Sequence, residues 1–123
     1  MINLLSDQLV VSKEFYTALF DFRVDFDSDW FVHLISEDQE LELGIIDYQS
    51  QVVPPGLSSN QSGMYLTFVV EDVDKLHEVA VQEKLEVIEE PKDTFYGQRR
   101  LLLKDPNGVV VDISAPIPNF QFS

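Results

Sequence analysis

Apolar residues recur at Val11, Phe15 and Leu19 within residues 9–20, one face of a short amphipathic helix, and Asp7 stands before it as a candidate cap. Phe22, Val24 and Phe26 then alternate with Arg23, Asp25 and Asp27, the period of a half-buried strand, which the Asp27-Ser28-Asp29 cluster ends. Two further strands are predicted over 30–35 and 41–46, with 36–39 as the turn between them. In the second of these, Leu41, Leu43 and Ile45 face one way while Glu40, Glu42, Gly44 and Ile46 face the other.

Residues 48–62 are rich in Gln, Ser and Asn, contain Pro54-Pro55-Gly56 and hold no period, so they predict a linker. Beyond it the pattern returns: a strand over 64–70, a helix from about Val73 to Lys84 capped by Asp72, and a strand over 85–88. Strands over 96–103 and 109–114 follow, joined by the tight turn Asp105-Pro106-Asn107-Gly108. Met1 matches Met64 and Phe22 matches Leu85, an offset of about 63 residues. Both halves spell strand, helix and three strands, which an internal duplication explains most simply. One helix on four strands is too little to enclose a core, so the two sheets are expected to cooperate, within the chain or between chains. A curved pair of such sheets would leave a concave ligand cavity.

The composition narrows the chemistry. At 123 residues and 45% hydrophobic, the chain is expected to form a single domain with a core, made of modules at 1–47 and 63–116 with linker 48–62. The absence of cysteine excludes disulfides, thiolate metal sites and cysteine nucleophiles. A net charge of −14 repels phosphate backbones and anionic lipid, so neither nucleic acid nor a membrane is an expected partner. With no basic leader and no apolar run near the ~18 residues of a membrane span, a cytoplasmic protein is expected.

The duplicated βαβββ order, the segment Ser12-Lys13-Glu14-Phe15-Tyr16-Thr17-Ala18-Leu19-Phe20-Asp21-Phe22 and the turn Leu103-Lys104-Asp105-Pro106-Asn107-Gly108 resemble the vicinal oxygen chelate superfamily. That superfamily holds glyoxalase I, bleomycin-resistance proteins, fosfomycin-resistance thiol transferases and extradiol dioxygenases. The resemblance covers nearly the whole chain and implies an α+β fold, two βαβββ modules forming a curved mixed sheet with a concave ligand cavity. It also implies a homodimer. Members of the superfamily commonly hold a divalent metal with His and Glu side chains on the central strands. Here Tyr65 stands where the metal enzymes carry His, and the first-half position falls at Met1 or before it. The first-half acidic position matches Gly44, or Glu42 with a slip that keeps the same face, and only Asp112 sits where the final Glu belongs. One carboxylate cannot hold a catalytic metal, and the strand assignments give no reason for Asp112, Glu42 and His33 to converge. No metal and no cofactor is expected.

What remains has the character of a binding site. If Asp112 faces the cavity, Val110 and Ser114 accompany it, and Val109, Val111 and Ile113 turn toward the helices. The facing strand presents either Tyr96, Gln98, Arg100 and Leu102 or Arg99, Leu101 and Leu103, and the resemblance favours the first set. Arg100 would either contact a ligand or pair with Asp112. Trp30, the single tryptophan, could stack on a planar or cationic ligand or belong to the core or an interface, and His33 could be a ligand group or a packed, hydrogen-bonded histidine. His77 is expected on a solvated helix face. The tail 116–122, with Phe120 and Phe122, could close a pocket, enter a neighbour's groove or cover its own chain. The expected function is that of a metal-free, bleomycin-resistance-like protein binding a small planar molecule, cationic or neutral. The candidate contacts are Trp30, His33, Glu42, Tyr65, Tyr96, Gln98, Arg100, Leu102 and Asp112. An enzyme of the superfamily (lyase, isomerase or dioxygenase type) with an atypical metal site is the alternative, and a protein-interaction module a third.

Overall fold

The computed structural model describes residues 1–54 and 64–121. Pro55, Gly56 and Phe122, singled out in the sequence, lie outside the described residues. The chain separates into two compact units, one of Met1–Gln61 with the Pro106–Gly108 turn, the other of Ser62–Asp105 with Val109–Ser123. Each unit carries one helix on a four-stranded mixed sheet.

The first unit runs β1 (Ile2–Ser6), α1 (Leu9–Leu19), β2 (Phe22–Asp27), β3 (Phe31–Ser36) and β4 (Glu42–Asp47). Its sheet order is β1-β4-β3-β2, with β1 parallel to β4 and the other neighbours antiparallel. Alternation along β3 and β4 sends Val32, Leu34, Leu43 and Ile45 to one face, where Leu4 of β1 and Phe15, Tyr16 and Leu19 of α1 are also buried. Asp7 does not cap α1. Gln8 lies between it and Leu9 and takes the cap position without a side-chain bond; the Ser6 hydroxyl accepts from Gln8 N at 2.8 Å instead. Ser6 Oγ also meets Ser12 Oγ at 3.0 Å, and Asn107 of the attached turn donates to Ser12 at 3.1 Å. The half-buried alternation expected of β2 is also absent. As the edge strand it leaves Val24 and Phe26 exposed, and its ladder slips between these two residues.

The second unit repeats the order as β5 (Tyr65–Val69), α2 (Val73–Gln82), β6 (Glu86–Asp93), β7 (Gln98–Lys104) and β8 (Val110–Pro116). The sheet order is β5-β8-β7-β6. Here the cap forms as expected, with Asp72 accepting from Lys75 N at 3.1 Å. Leu66, Leu101, Leu103, Val111 and Ile113 are buried, as are Val73 and Ala80 of α2. β6 runs five residues past its expected end, and Pro91, lacking an N–H, is accommodated where the ladder slips between Glu89 and Lys92, on an edge strand that tolerates it. In the β7–β8 turn, buried Asp105 accepts from Val109 N at 2.8 Å, and Gly108 adopts φ +84°.

Candidate functional site

The face of the first sheet turned away from α1 carries Phe31 and His33 of β3, Glu42 and Gly44 of β4, Asn3 of β1 and Phe26 of β2, with His33 opposite both Gly44 and Phe26. Phe26 and Phe31 lie 6.0 Å apart, Phe31 stacks on the His33 ring at 6.2 Å and 12°, and Trp30 leans on Phe31 at 5.4 Å. A short aromatic strip results. His33 Nδ1 lies 3.0 Å from Asp25 Oδ2, and Nε2 lies 2.8 Å from Glu42 Oε1. A ring protonated on both nitrogens donates to both carboxylates, whereas a neutral ring has one N–H and satisfies one. Two of the three residues weighed for a metal, His33 and Glu42, thus meet within the first sheet. The β2 bulge brings Asp25 to one side of the ring, and the β3–β4 pairing brings Glu42 to the other.

Gly44 shows why no acidic side chain projects from that position. A Cβ there would collide with Asn3 Oδ1 and come within 3.1 Å of the Phe31 ring, so the Asn3 side chain already occupies the space. Trp30 precedes β3 and is 41% exposed. It lines a pocket of about 380 Å³ with Asp47, Gln49, Ser50, Gln51 and Val52. Asp47 N donates to Trp30 O at 2.8 Å, which ties the pocket's carboxylate to its aromatic wall.

In the second sheet, the face away from α2 carries Tyr65 and Thr67, then Val110, Asp112 and Ser114, then Gln98, Arg100 and Leu102. The register left open by the sequence is thus decided, with Arg100 opposite Ser114 and Leu102 opposite Asp112. Asp112 is only 6% exposed and accepts from Ser114 Oγ at 2.6 Å and Thr67 Oγ1 at 3.0 Å. Arg100 does not pair with it. Its guanidinium reaches Glu89 Oε1 and the Tyr96 hydroxyl, each at 3.4 Å, and its buried Nε has no partner among the described residues. Burial pulls the Arg100 guanidinium down, but the hydrogen bond to Glu89 and the charges of Tyr96, Glu89 and Asp112 outweigh it and hold the group above its ordinary value. Arg99 clasps Asp74 with two bonds of 3.0 and 2.8 Å and Asp93 with a third of 3.0 Å, a strand-to-helix tie. Tyr65 stands exposed on edge strand β5, and Tyr96 lies in the β6–β7 turn.

The expected contacts therefore form local groups: His33 with Glu42, Arg100 with Tyr96, and Leu102 beside Asp112. Gln98 is held through its backbone, whose carbonyl accepts from Thr94 Oγ1 at 2.7 Å. Sequence reasoning missed Asp25, Phe26, Phe31 and Asp47 as members. Phe31 could have been found by extending the alternation from His33; Asp25 and Phe26 could not, because the β2 bulge that places them has no period.

The same positions fit a metal poorly. Glu42 is engaged by His33, Asp112 by two hydroxyls, and Gly44 and Tyr65 bring no ligand of the usual kind. Among the described residues no three His, Asp or Glu side chains are grouped to bind an ion.

Residues 1–113 match the family model described as Glyoxalase/Bleomycin resistance protein/Dioxygenase superfamily. The chain belongs to this superfamily. A glyoxalase/bleomycin resistance protein/dioxygenase family enzyme from Burkholderia phytofirmans PsJN is similar at 24% identity and TM-score 0.78, over 94% of this chain and 95% of that one. A superfamily protein from Nocardioides is similar at 21% identity and TM-score 0.73, over 97% and 83%. A bleomycin-binding protein complexed with bleomycin is similar at 18% identity and TM-score 0.66, over 94% and 95%. No curated protein matches the chain in sequence. No helix among the described residues is long and apolar enough to cross a membrane.

Proposed function

We infer that this superfamily member binds a small planar, cationic molecule and does so without a metal. The observation that carries the reading is the engagement of its carboxylates by the protein's own groups while aromatic rings of the first unit are left exposed. Asp112 is spent on Thr67 and Ser114, and Glu42 on His33, while Phe26 and Trp30 stay open. A dication gains by displacing water from unsatisfied oxygens, and here it would first have to break bonds already made. Exposed aromatic surface suits a flat ligand by stacking, and the net charge of −14 favours a cationic one. The bleomycin held by one structural neighbour is consistent with small-molecule binding on this fold.

The test is a thermal-shift scan of the purified, chelator-treated protein over manganese, iron, nickel and zinc, with metal analysis of the untreated protein. No ion is expected to bind stoichiometrically or raise the melting point. An ion that does both, lifting stability by the ~2.7 kcal/mol expected at a hundred times its Kd, would overturn the metal-free reading in favour of an enzyme with an atypical site.

A further inference from the structure

We propose that the pocket beside Trp30 is the seat of a small, fused-ring heteroaromatic cation, with Asp47 as its counter-charge. The proposal rests on the small-molecule reading above and adds a place and a size. On the sheet face itself the two carboxylates nearest the rings, Asp25 and Glu42, already share the His33 imidazole, and Asp25 also meets Arg23 at 3.3 Å. A ligand there would compete with the imidazole for both carboxylates. Asp47 differs: among the described residues no basic side chain pairs with it, and its Oδ1 accepts the Gln49 N–H at 2.9 Å.

The surroundings are also those of a binding pocket. Trp30 supplies an exposed π surface held from behind by Phe31, Val52 supplies an exposed apolar lip, and Gln49, Ser50 and Gln51 supply polar groups for orientation. A cation over an indole beside a carboxylate is attracted by both, and the net charge of −14 enriches cations around the molecule. The volume sets the class. About 380 Å³ is near the floor of the roughly 300–1,000 Å³ range of ligand pockets, room for two fused rings.

Trp30 is the only tryptophan, so its fluorescence and its single indole N–H resonance carry no signal from another indole. The probes are N-methylquinolinium, neutral quinoline at pH 7 and naphthalene-1-sulfonate, three bicycles of similar shape and different charge. N-methylquinolinium is expected to shift the indole resonance saturably, quinoline to bind about fivefold more weakly, and the sulfonate not to bind. Asp47→Asn should weaken N-methylquinolinium about fivefold and leave quinoline unchanged. Val52→Arg, at an exposed position that leaves folding intact, should abolish binding of the cation. Equal affinity for all three probes, or an Asp47→Asn protein that binds like wild type, overturns the assignment. Shifts at Phe31 and His33 amides without one at Trp30 overturn the pocket but leave the small-molecule reading standing. Absence of any shift at millimolar probe overturns both.

Discussion

Gly97→Ala should cost about 2–3 kcal/mol, and the cost should shrink when Phe120 is removed. Gly97 closes the β6–β7 turn at φ +92°, in the left-handed region where a side chain costs about 1–2 kcal/mol. A Cβ there would also stand 2.8 Å from Phe120 Cδ1 and 3.1 Å from Cγ, inside contact distance, so the ring must leave. Burying a whole Phe is worth about 1.5–3 kcal/mol, and a half-buried ring forfeits about 1. For a chain of this length the sum lowers the melting temperature by roughly 10 °C. Phe120→Ala alone should cost about 1 kcal/mol. In that background Gly97→Ala should cost only its backbone strain, giving a coupling near 1 kcal/mol in a double-mutant cycle read by urea denaturation. Strict additivity would refute the reasoning, because it would mean the ring does not rest on Gly97. The same contact, with Ile117 N bonding Gly97 O at 2.9 Å, makes Phe120 a cover for its own chain's turn.

His33→Ala should destabilise the protein by about 1–2 kcal/mol, less than two full charge-assisted bonds because both carboxylates are nearly half exposed; His33→Gln, able to serve one of them, should recover about half in urea melts. Asp112→Ala orphans the buried Ser114 hydroxyl and that of Thr67 and should cost about 2 kcal/mol, whereas Asp112→Asn should cost well under 1, since a rotating hydroxyl can accept from the amide; equal losses would show that the hydroxyls do not depend on Asp112. The hydrogen bond from Arg99 holds Asp74 below its ordinary carboxylate value of 3.8, burial opposing it slightly. Its folded value lying below its unfolded one, the clasp stabilises above pH 4 and is lost as the pH falls through the depressed value. Melting temperatures of wild type and Asp74→Asn should therefore differ at pH 6 and the gap should close as the pH falls through the depressed value; a gap that does not narrow with acidification would show that the clasp is not electrostatic.

The two βαβββ modules were legible in the chain because their signals are local. A helix needs only its own apolar stripe, a central strand only its own alternation, and the Asp105-Pro106-Asn107-Gly108 turn only its own dihedral preferences. The same locality explains the failures. Asp7 and Asp72 look alike as letters, but cap geometry turns on which residue immediately precedes the first helical turn, and that place belongs to Gln8 in one module and Asp72 in the other. The candidate site was half legible: Trp30, His33 and Glu42 could be named from residue type, but their partners could not. Asp25 reaches His33 through a bulge, Asn3 fills the space at Gly44 through parallel pairing of strands far apart in sequence, and Arg100 finds Glu89 across a ladder that Pro91 has shifted. Which charges are spent and which stay open is a matter of distances between strands. Periodicity determines the face a side chain takes; only the packed sheet decides what it meets there.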